Sequence, residues 1–350
     1  MELEKDHKKT MPPKRFISAH DVAKLAGVSR SAVSRAFTDG ASVAPLTREK
    51  IMHAAERLGY KVNDLARGLL TNRSHIIGMI AADSSSPFRA AQIASLSKAL
   101  VEHGKVPVLI PTGKKGENLN EQHETLLRYR AEAIVILSGT PTSSFVDLAK
   151  RNGQTVIAIG RNEEGLNHIH INNQRAMEQA VLLFKQAGYK SLSLVTSITN
   201  SLNLLEREQA FIQKSKQQGM SVSITRVAST DYEGGYAAGQ QIFNAKIKPE
   251  GVFCVNDLMA FGCMDSARNS FNLRIPDDVS FIGFDDVPQA SWHSYQLTTF
   301  RQDTDLLASH IIMLIEKNLI DQETEGTKII LETPLIVRNS VKTQLEDIAL

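Results

Sequence analysis

Apolar residues recur at two different spacings along this chain, and the change between them divides it. Over residues 18–60 they fall three and four apart, the repeat of short amphipathic helices. Val22, Ala23 and Ala26 line one face, Val33 and Phe37 a second, and Ile51, Ala54, Ala55 and Leu58 a third. Gly27 stands between the first two patterns, where a tight turn needs positive φ, and Gly59 closes the third with Tyr60 folding back. From Ile76 the pattern becomes continuous apolar runs. These predict strands at 76–81, 106–110, 133–137, 155–159, 191–196, 222–227, 251–255 and 279–283. Helical segments lie between most of them, one near 87–103, ending on Gly104, Gly153, Gly188 and Gly219. Strand–helix alternation with unbroken apolar strands means parallel sheets covered on both faces. Its length is enough for two doubly wound units, so the expected fold class is α/β behind an N-terminal three-helix unit.

Within that unit Ser18 and Asp21 have the spacing of a capping box, Ser29 is placed to cap the second helix, and Pro45 suits the first turn of the third. Small residues at 23, 26 and 32 let the first two helices cross closely. The second helix sends Arg30, Ser31, Ser34 and Arg35 outward. This is the pattern of a helix-turn-helix, whose second helix enters the DNA major groove N-terminus first. The alternative is a plain helical hairpin with solvated arginines.

Charge changes the picture. The net of +2 conceals an asymmetry: residues 1–73 hold 14 Lys+Arg against 8 Asp+Glu, and the remainder 26 against 30. A small basic module on a mildly acidic body implies that only the module meets a polyanion. Residues 1–15 are polar and aperiodic, a disordered arm. Residues 63–73 form a short helical pattern interrupted by Gly68, too weak to persist alone and suited to folding on binding.

Composition then excludes several classes. At 350 residues with 42% hydrophobic and 22% charged content, the chain is an ordinary globular protein with sizeable cores. No apolar run approaches a membrane span, and the N-terminus lacks the apolar segment of a signal peptide, so the expected compartment is the cytoplasm, with no membrane partner. Cys254 and Cys263 make neither a disulfide framework nor a zinc site and read as small buried hydrophobes. There is no G-x-G-x-x-G at a first strand and no P-loop, and no metal or cofactor is expected.

Longer motifs are more specific. Asp21-Val22-Ala23-Lys24-Leu25-Ala26-Gly27-Val28-Ser29, Val33-Ser34-Arg35, Thr47-Arg48-Glu49-Lys50-Ile51, Leu58-Gly59-Tyr60 and Ala66-Arg67-x-Leu69 are followed late in the chain by Asn256-Asp257-x-Met259-Ala260-x-Gly262, Gly283-Phe284-Asp285-Asp286 and Leu297-Thr298-Thr299-x-Arg301-Gln302. In these residues the chain resembles bacterial transcription regulators of the lactose/galactose repressor (LacI/GalR) family, from residue 16 to about 340. The resemblance implies a homodimeric repressor of carbohydrate-use genes that binds double-stranded DNA at a pseudo-palindromic operator and answers to a small carbohydrate-derived effector. It implies a headpiece at 16–62, a hinge helix at 63–73, and a core at 74–342 of two Rossmann-like, periplasmic-binding-protein-like subdomains. Three crossings would divide that core into an N-subdomain of 74–170 plus 301–325 and a C-subdomain of 171–300 plus 326–342. The chain ends too soon after Arg338-Asn339 for the heptad tail of tetrameric relatives, hence the dimer.

Carried over residue by residue, the family pattern assigns base reading to Arg30, Ser31 and Arg35. Arginine pairs bidentately with a guanine edge for about 1–3 kcal/mol of discrimination. Ser18, Ser29, Ser34, Ser42 and Thr47 suit phosphate contacts that set register. Leu69 matches an apolar lever in the minor groove, the alternative being packing against Leu65 or a dimer mate. Ala44 replaces a usual Ser, forfeiting a cap or phosphate contact worth roughly 1 kcal/mol. For the effector the pattern gives Asp83, Phe88, Arg207, Tyr232, Asn256, Asp285 and Gln302, with Arg161 placed to join them. Asp285 and Asn256 would meet hydroxyls, Arg207 would fork across two oxygens, and Tyr232 or Phe88 would stack on a sugar face. Against this, Asn256 and Asp285 could simply tie strand ends to helix starts, and Tyr232 could be core. Two arginines beside one Asp hint at an acidic sugar or phosphate ester. A sugar-binding transport protein is disfavoured by the headpiece, and an enzyme by the absence of a nucleophile elbow or metal cluster.

Overall fold

The computed structural model describes residues 16–38, 40–62, 68, 73–84, 86–112, 119–137, 143–160, 165–198, 201–321 and 326–342, with the side chains of 119–123, 143 and 318–321 excepted. The expected arm at 1–15 and nearly all of the hinge, Leu69 included, lie outside these residues, as does Arg161. The chain divides into two compact units between Ser74 and His75.

The first unit is three helices, α1 (Ala19–Ala26), α2 (Arg30–Ala36) and α3 (Pro45–Leu58). Its capping box is complete: the Ser18 backbone N–H donates to Asp21 at 2.8 Å and Asp21 N–H donates to Ser18 Oγ at 3.4 Å. Gly27 turns the chain at φ 68°, and Ser29 Oγ accepts from Ala32 N–H at 3.2 Å to start α2. Val22, Ala23, Val33, Ala36, Ile51, Ala54 and Ala55 form the core, as the spacing requires. Phe37 lies half-buried at the end of α2, edge-on to Tyr60 with ring centroids 5.5 Å apart. Ala44 indeed gives α3 no side-chain cap. Arg48, in the first turn of α3, instead donates to the carbonyls of Ala36 and Ala41 and so ties the loop after α2 to α3.

The second unit contains two parallel sheets. The first has strands in the order β11-β5-β4-β3-β1-β2, where β1 is Ile76–Ala82, β2 Val106–Thr112, β3 Ala133–Ile136, β4 Thr155–Ile159, β5 Asn167–Ile171 and β11 Lys328–Leu331. The second has the order β7-β6-β8-β9, from β6 (Ser191–Ser197), β7 (Ser221–Val227), β8 (Gly251–Cys254) and β9 (Ser280–Ile282). A short antiparallel pair, β10 (Thr299–Phe300) with β12 (Leu335–Ile336), lies on the chain's later passages between the subdomains. Helices α4 (Pro87–Glu102), α5 (Leu119–Arg128), α6 (Ser143–Arg151) and α11 (Thr304–Asp321) accompany the first sheet; α7 (Asn173–Gln186), α8 (Leu202–Gln217), α9 (Tyr232–Phe243) and α10 (Asp257–Phe271) accompany the second.

All eight strands expected from apolar runs are present. The four others described were missed for a physical reason: β5 carries His168 and His170 among its isoleucines, β10 and β12 are two residues each, and β11 is a brief apolar run behind Lys328 whose pairing partner lies far away in sequence. Two boundaries are corrected. β11 pairs with β5 in register Lys328↔His168, so 326–331 belongs to the N-subdomain rather than the C-subdomain, and the third crossing falls after Leu331. Likewise β5 carries the first sheet to Ile171, so the first crossing begins at Asn172. Helices α9 and α10 approach so closely that a Cβ on Gly262 would overlap the Tyr232 carbonyl and lie 2.6 Å from Tyr236 N. Cys254 and Cys263 are buried free thiols. Among the described residues no helix is long and apolar enough to cross a membrane.

Candidate functional site

The headpiece offers one polar helix face. Burial of Val33 and Ala36 turns Arg30, Ser31, Ser34 and Arg35 to solvent together, with Ser29 and Ser42 exposed beside them and Ser18 and Thr47 half-buried. Ser29 and Ser31 hydroxyls are 2.9 Å apart, and the Arg35 Nε donates weakly to Ser31 O at 3.4 Å. Neither arginine is tied to a carboxylate by a described contact. Such a face, narrow and rich in donors with a serine-capped N-terminus, has the chemistry to read groove edges and phosphates.

The cleft of the second unit is built where strand ends of both sheets meet the crossings. Arg207, on α8, is buried: its Nε donates to Asn173 Oδ1 at 2.9 Å, a terminal nitrogen donates to Val255 O at 2.8 Å, and the guanidinium lies 3.4 Å over the Phe284 ring. Burial pushes it down to about 10, against the pull of Asp285, Glu206 and Asp257. Asp285 follows β9 at φ 129°, its N–H donating to Phe300 O at 2.8 Å and its Oδ1 accepting from Gln302 Nε2 at 2.6 Å. Burial raises this carboxyl to about 6, opposed by Arg207, Gln302 and Arg89. Phe88, at the first turn of α4, and Gln302 line a small pocket together with Ile171, Leu307, Leu331 and Thr333. Thr333 Oγ1 is buried without a described partner.

The structure therefore unites Phe88, Arg207, Asp285 and Gln302. Asp83 is exposed at φ 49° after β1 and contributes charge toward Arg89. Two expected residues are occupied otherwise. Asn256 caps α10 through Met259 N–H at 2.9 Å and donates to Thr230 O at 2.8 Å, so it ties a strand end to a helix start. Tyr232 donates its hydroxyl to Asp265 at 2.9 Å, the same carboxylate oxygen that Tyr295 reaches, and its phenol is pushed up to about 12 by burial and by that carboxylate.

Sequence reasoning missed Arg89, Asn173, Glu206, His170 and Asp257. Arg89, next to Phe88, donates to Gln92 and to Leu137 O, is pushed down to about 10 by burial, and is opposed by Asp285 and Asp83. Asp257 is buried within α10's first turn, accepting from Thr299 Oγ1 at 2.5 Å and Val287 N–H at 2.9 Å. Burial, then the charge of Asp285, raises it to about 8 despite those two bonds. His170 on β5 faces Glu206 on α8 at 3.3 Å, a contact across the two subdomains. The signal for Asp257 was present in its Asn-Asp motif; nothing in the sequence pointed to Arg89.

A basic helix-turn-helix unit joined to a two-sheet ligand-binding core is the architecture of a ligand-responsive DNA-binding regulator. A profile described as bacterial regulatory proteins, lacI family, matches residues 18–63, and one for a periplasmic binding protein-like domain matches 181–341. The chain thus carries a DNA-binding domain of the lacI family and a periplasmic-binding-protein-like domain, and the proteins it resembles in both are transcriptional regulators. Similar proteins include the transcriptional repressor PurR of Pasteurella multocida, 27% identical over 330 residues covering 93% of this chain and 98% of that protein. The regulator CelR of Thermobifida fusca is 28% identical over 334 residues, covering 91% and 96%. The probable repressor ExuR of Bacillus subtilis is 26% identical over 336 residues, covering 93% and 99%. In structure, the chain superposes on a lac repressor dimer bound to operator and the anti-inducer ONPF with TM-score 0.85 at 22% identity, over 94% of this chain and 100% of that one. A CelR–cellobiose complex follows at TM-score 0.69 and 24% identity, over 93% and 99%.

Proposed function

We propose that this protein is a transcriptional repressor of carbohydrate-use genes, acting as a homodimer on a pseudo-palindromic operator at the nucleoid in the bacterial cytoplasm. The observation that carries the reading is the face of α2: four polar residues, two of them arginines, turned outward together by the burial of Val33 and Ala36. Arg30, Ser31 and Arg35 read bases, and Ser18, Ser29, Ser34, Ser42 and Thr47 with nearby amides hold phosphates. Leu69 is the minor-groove wedge of the hinge. The relatives' repressor names and the operator complex of the lac repressor support this assignment.

The effector binds in the cleft, on Phe88, Arg207, Asp285 and Gln302, with Asp83 at its edge and Tyr232 and Asn256 shaping the wall behind it; Arg161, outside the described residues, is a further candidate contact. The CelR–cellobiose neighbour supports a carbohydrate-derived ligand. The ligand favours one arrangement of the subdomains and thereby shifts the population able to pair two hinges on DNA, a coupling typically of about 1–3 kcal/mol and reciprocal. A gel shift with DNA upstream of the chain's own gene tests this. A retarded complex released or strengthened by a sugar is expected; failure to bind any palindromic site there refutes the reading.

A further inference from the structure

Arg89 and Arg207 are the guanidinium groups felt by Asp285, one from each subdomain. Neither is neutralised by contact. Arg207 gives two hydrogen bonds to Asn173 Oδ1 and Val255 O, and Arg89 gives its own to Gln92 Oε1 and Leu137 O, all uncharged acceptors. Among the described residues no carboxylate lies within ion-pair distance of either. Asp285, the carboxylate common to both fields, gives Oδ1 to the uncharged Gln302. The next residue along the chain has the opposite arrangement. Asp286 is clamped between Arg301 at 2.7 Å and Arg338 at 2.6 Å, and its side chain is almost fully covered. Buried charges are normally paired in this way. The two cleft arginines are instead oriented by neutral groups and depressed by burial, and their hydrogen bonds leave Nε and one terminal nitrogen of Arg89 and one terminal nitrogen of Arg207 for another acceptor.

We propose that the cleft takes a polyhydroxylated ligand bearing an anionic oxygen group, carboxylate or phosphate, received between Arg89 and Arg207, and that Arg89 selects it. This rests on the reading of the cleft as the effector site. Guanidinium forks match such oxygens bidentately. Asp285 Oδ2 and Gln302 Oε1 remain for the ligand's hydroxyls, and Phe88 for its apolar face. The anion supplies the direct ion pair that no described carboxylate makes with either arginine, so a neutral sugar of the same shape binds more weakly.

The test uses the full chain in thermal-shift and calorimetric titrations with D-glucose, D-glucuronate, D-glucose 6-phosphate and inorganic phosphate at constant ionic strength. At least one of the three anions is expected to raise the midpoint saturably while glucose does not, and the anion that succeeds identifies carboxylate or phosphate. Arg89→Gln is expected to weaken that anion about tenfold or more, the scale of one lost charge-assisted bond. Its unliganded midpoint falls as the bonds to Gln92 and Leu137 O are lost, so affinities are compared by calorimetry well below that midpoint. Arg89→Lys, which keeps the charge and loses the fork, falls between the two. No response to any of the three anions overturns the proposal, as does glucose binding equally well or Arg89→Gln keeping full anion affinity. A gel shift on the operator separates the outcomes: release by a neutral sugar keeps the effector-site reading and removes the anion, whereas loss of operator binding altogether removes the function reading first.

Discussion

Arg207→Ala tests whether the cleft's central arginine is merely a ligand contact or also part of the core. The substitution removes two hydrogen bonds from a charged donor, at 2.9 and 2.8 Å, each worth about 1.5–3 kcal/mol. It also removes a buried cation–π contact of about 2 kcal/mol. Against these stands the cost of burying the charge. The guanidinium falls from an ordinary 12.5 to about 10, which at 1.36 kcal/mol per pKa unit is about 3 kcal/mol. The net loss is about 2–5 kcal/mol, with Asn173 Oδ1 and Val255 O left buried beside a void. For a unit of this size that lowers the midpoint by roughly 5–15 °C. Differential scanning calorimetry of the full chain measures it, with a gel shift run below the new midpoint. Because the headpiece has its own core, operator binding survives while the effector response disappears. A midpoint within a degree or two of the parent, or a normal effector response, refutes the argument.

Three further outcomes follow from other parts of the molecule. Arg30→Ala relaxes base preference by about 1–3 kcal/mol at one operator position, read by selection from randomised half-sites; unchanged preference places Arg30 on phosphate instead. Asp257, raised to about 8, contributes stability that is fully present below its unfolded value and declines as pH rises through about 8. Asp257→Asn removes that slope from urea midpoints between pH 5 and 8, although turning an amide toward Val287 N–H costs one hydrogen bond; a slope equal to the parent's shows that another group titrates. Gly262→Ala forces a methyl against the Tyr232 backbone and costs about 1–3 kcal/mol or more through overpacking; a calorimetric midpoint unchanged from the parent shows that α9 and α10 separate freely.

The headpiece was legible in the sequence because its determinants are local. Caps, Gly27, and apolar residues three and four apart act within one or two helical turns, and Ser18, Asp21, Ser29 and Val33 do in the structure what their spacing requires. The strands of the doubly wound core were legible wherever both faces are apolar, as at Ile77 or Val252. What depends on partners distant in sequence was not. β11 belongs to the first sheet only because Lys328–Leu331 finds β5, some 160 residues earlier, and no periodicity encodes that choice. The cleft divides the same way. Phe88, Arg207, Asp285 and Gln302 could be named from motifs, but whether a polar group faces a ligand or its own fold is settled by packing. Asn256 and Tyr232 are taken by Thr230 and Asp265, whereas Arg89, unremarkable in sequence, is left with neutral partners beside Asp285. By itself the sequence determined the helices, the apolar strands and the chemical types available to the site. Only tertiary structure decided which charges meet a counter-charge, because that depends on distances between elements that the chain brings together last.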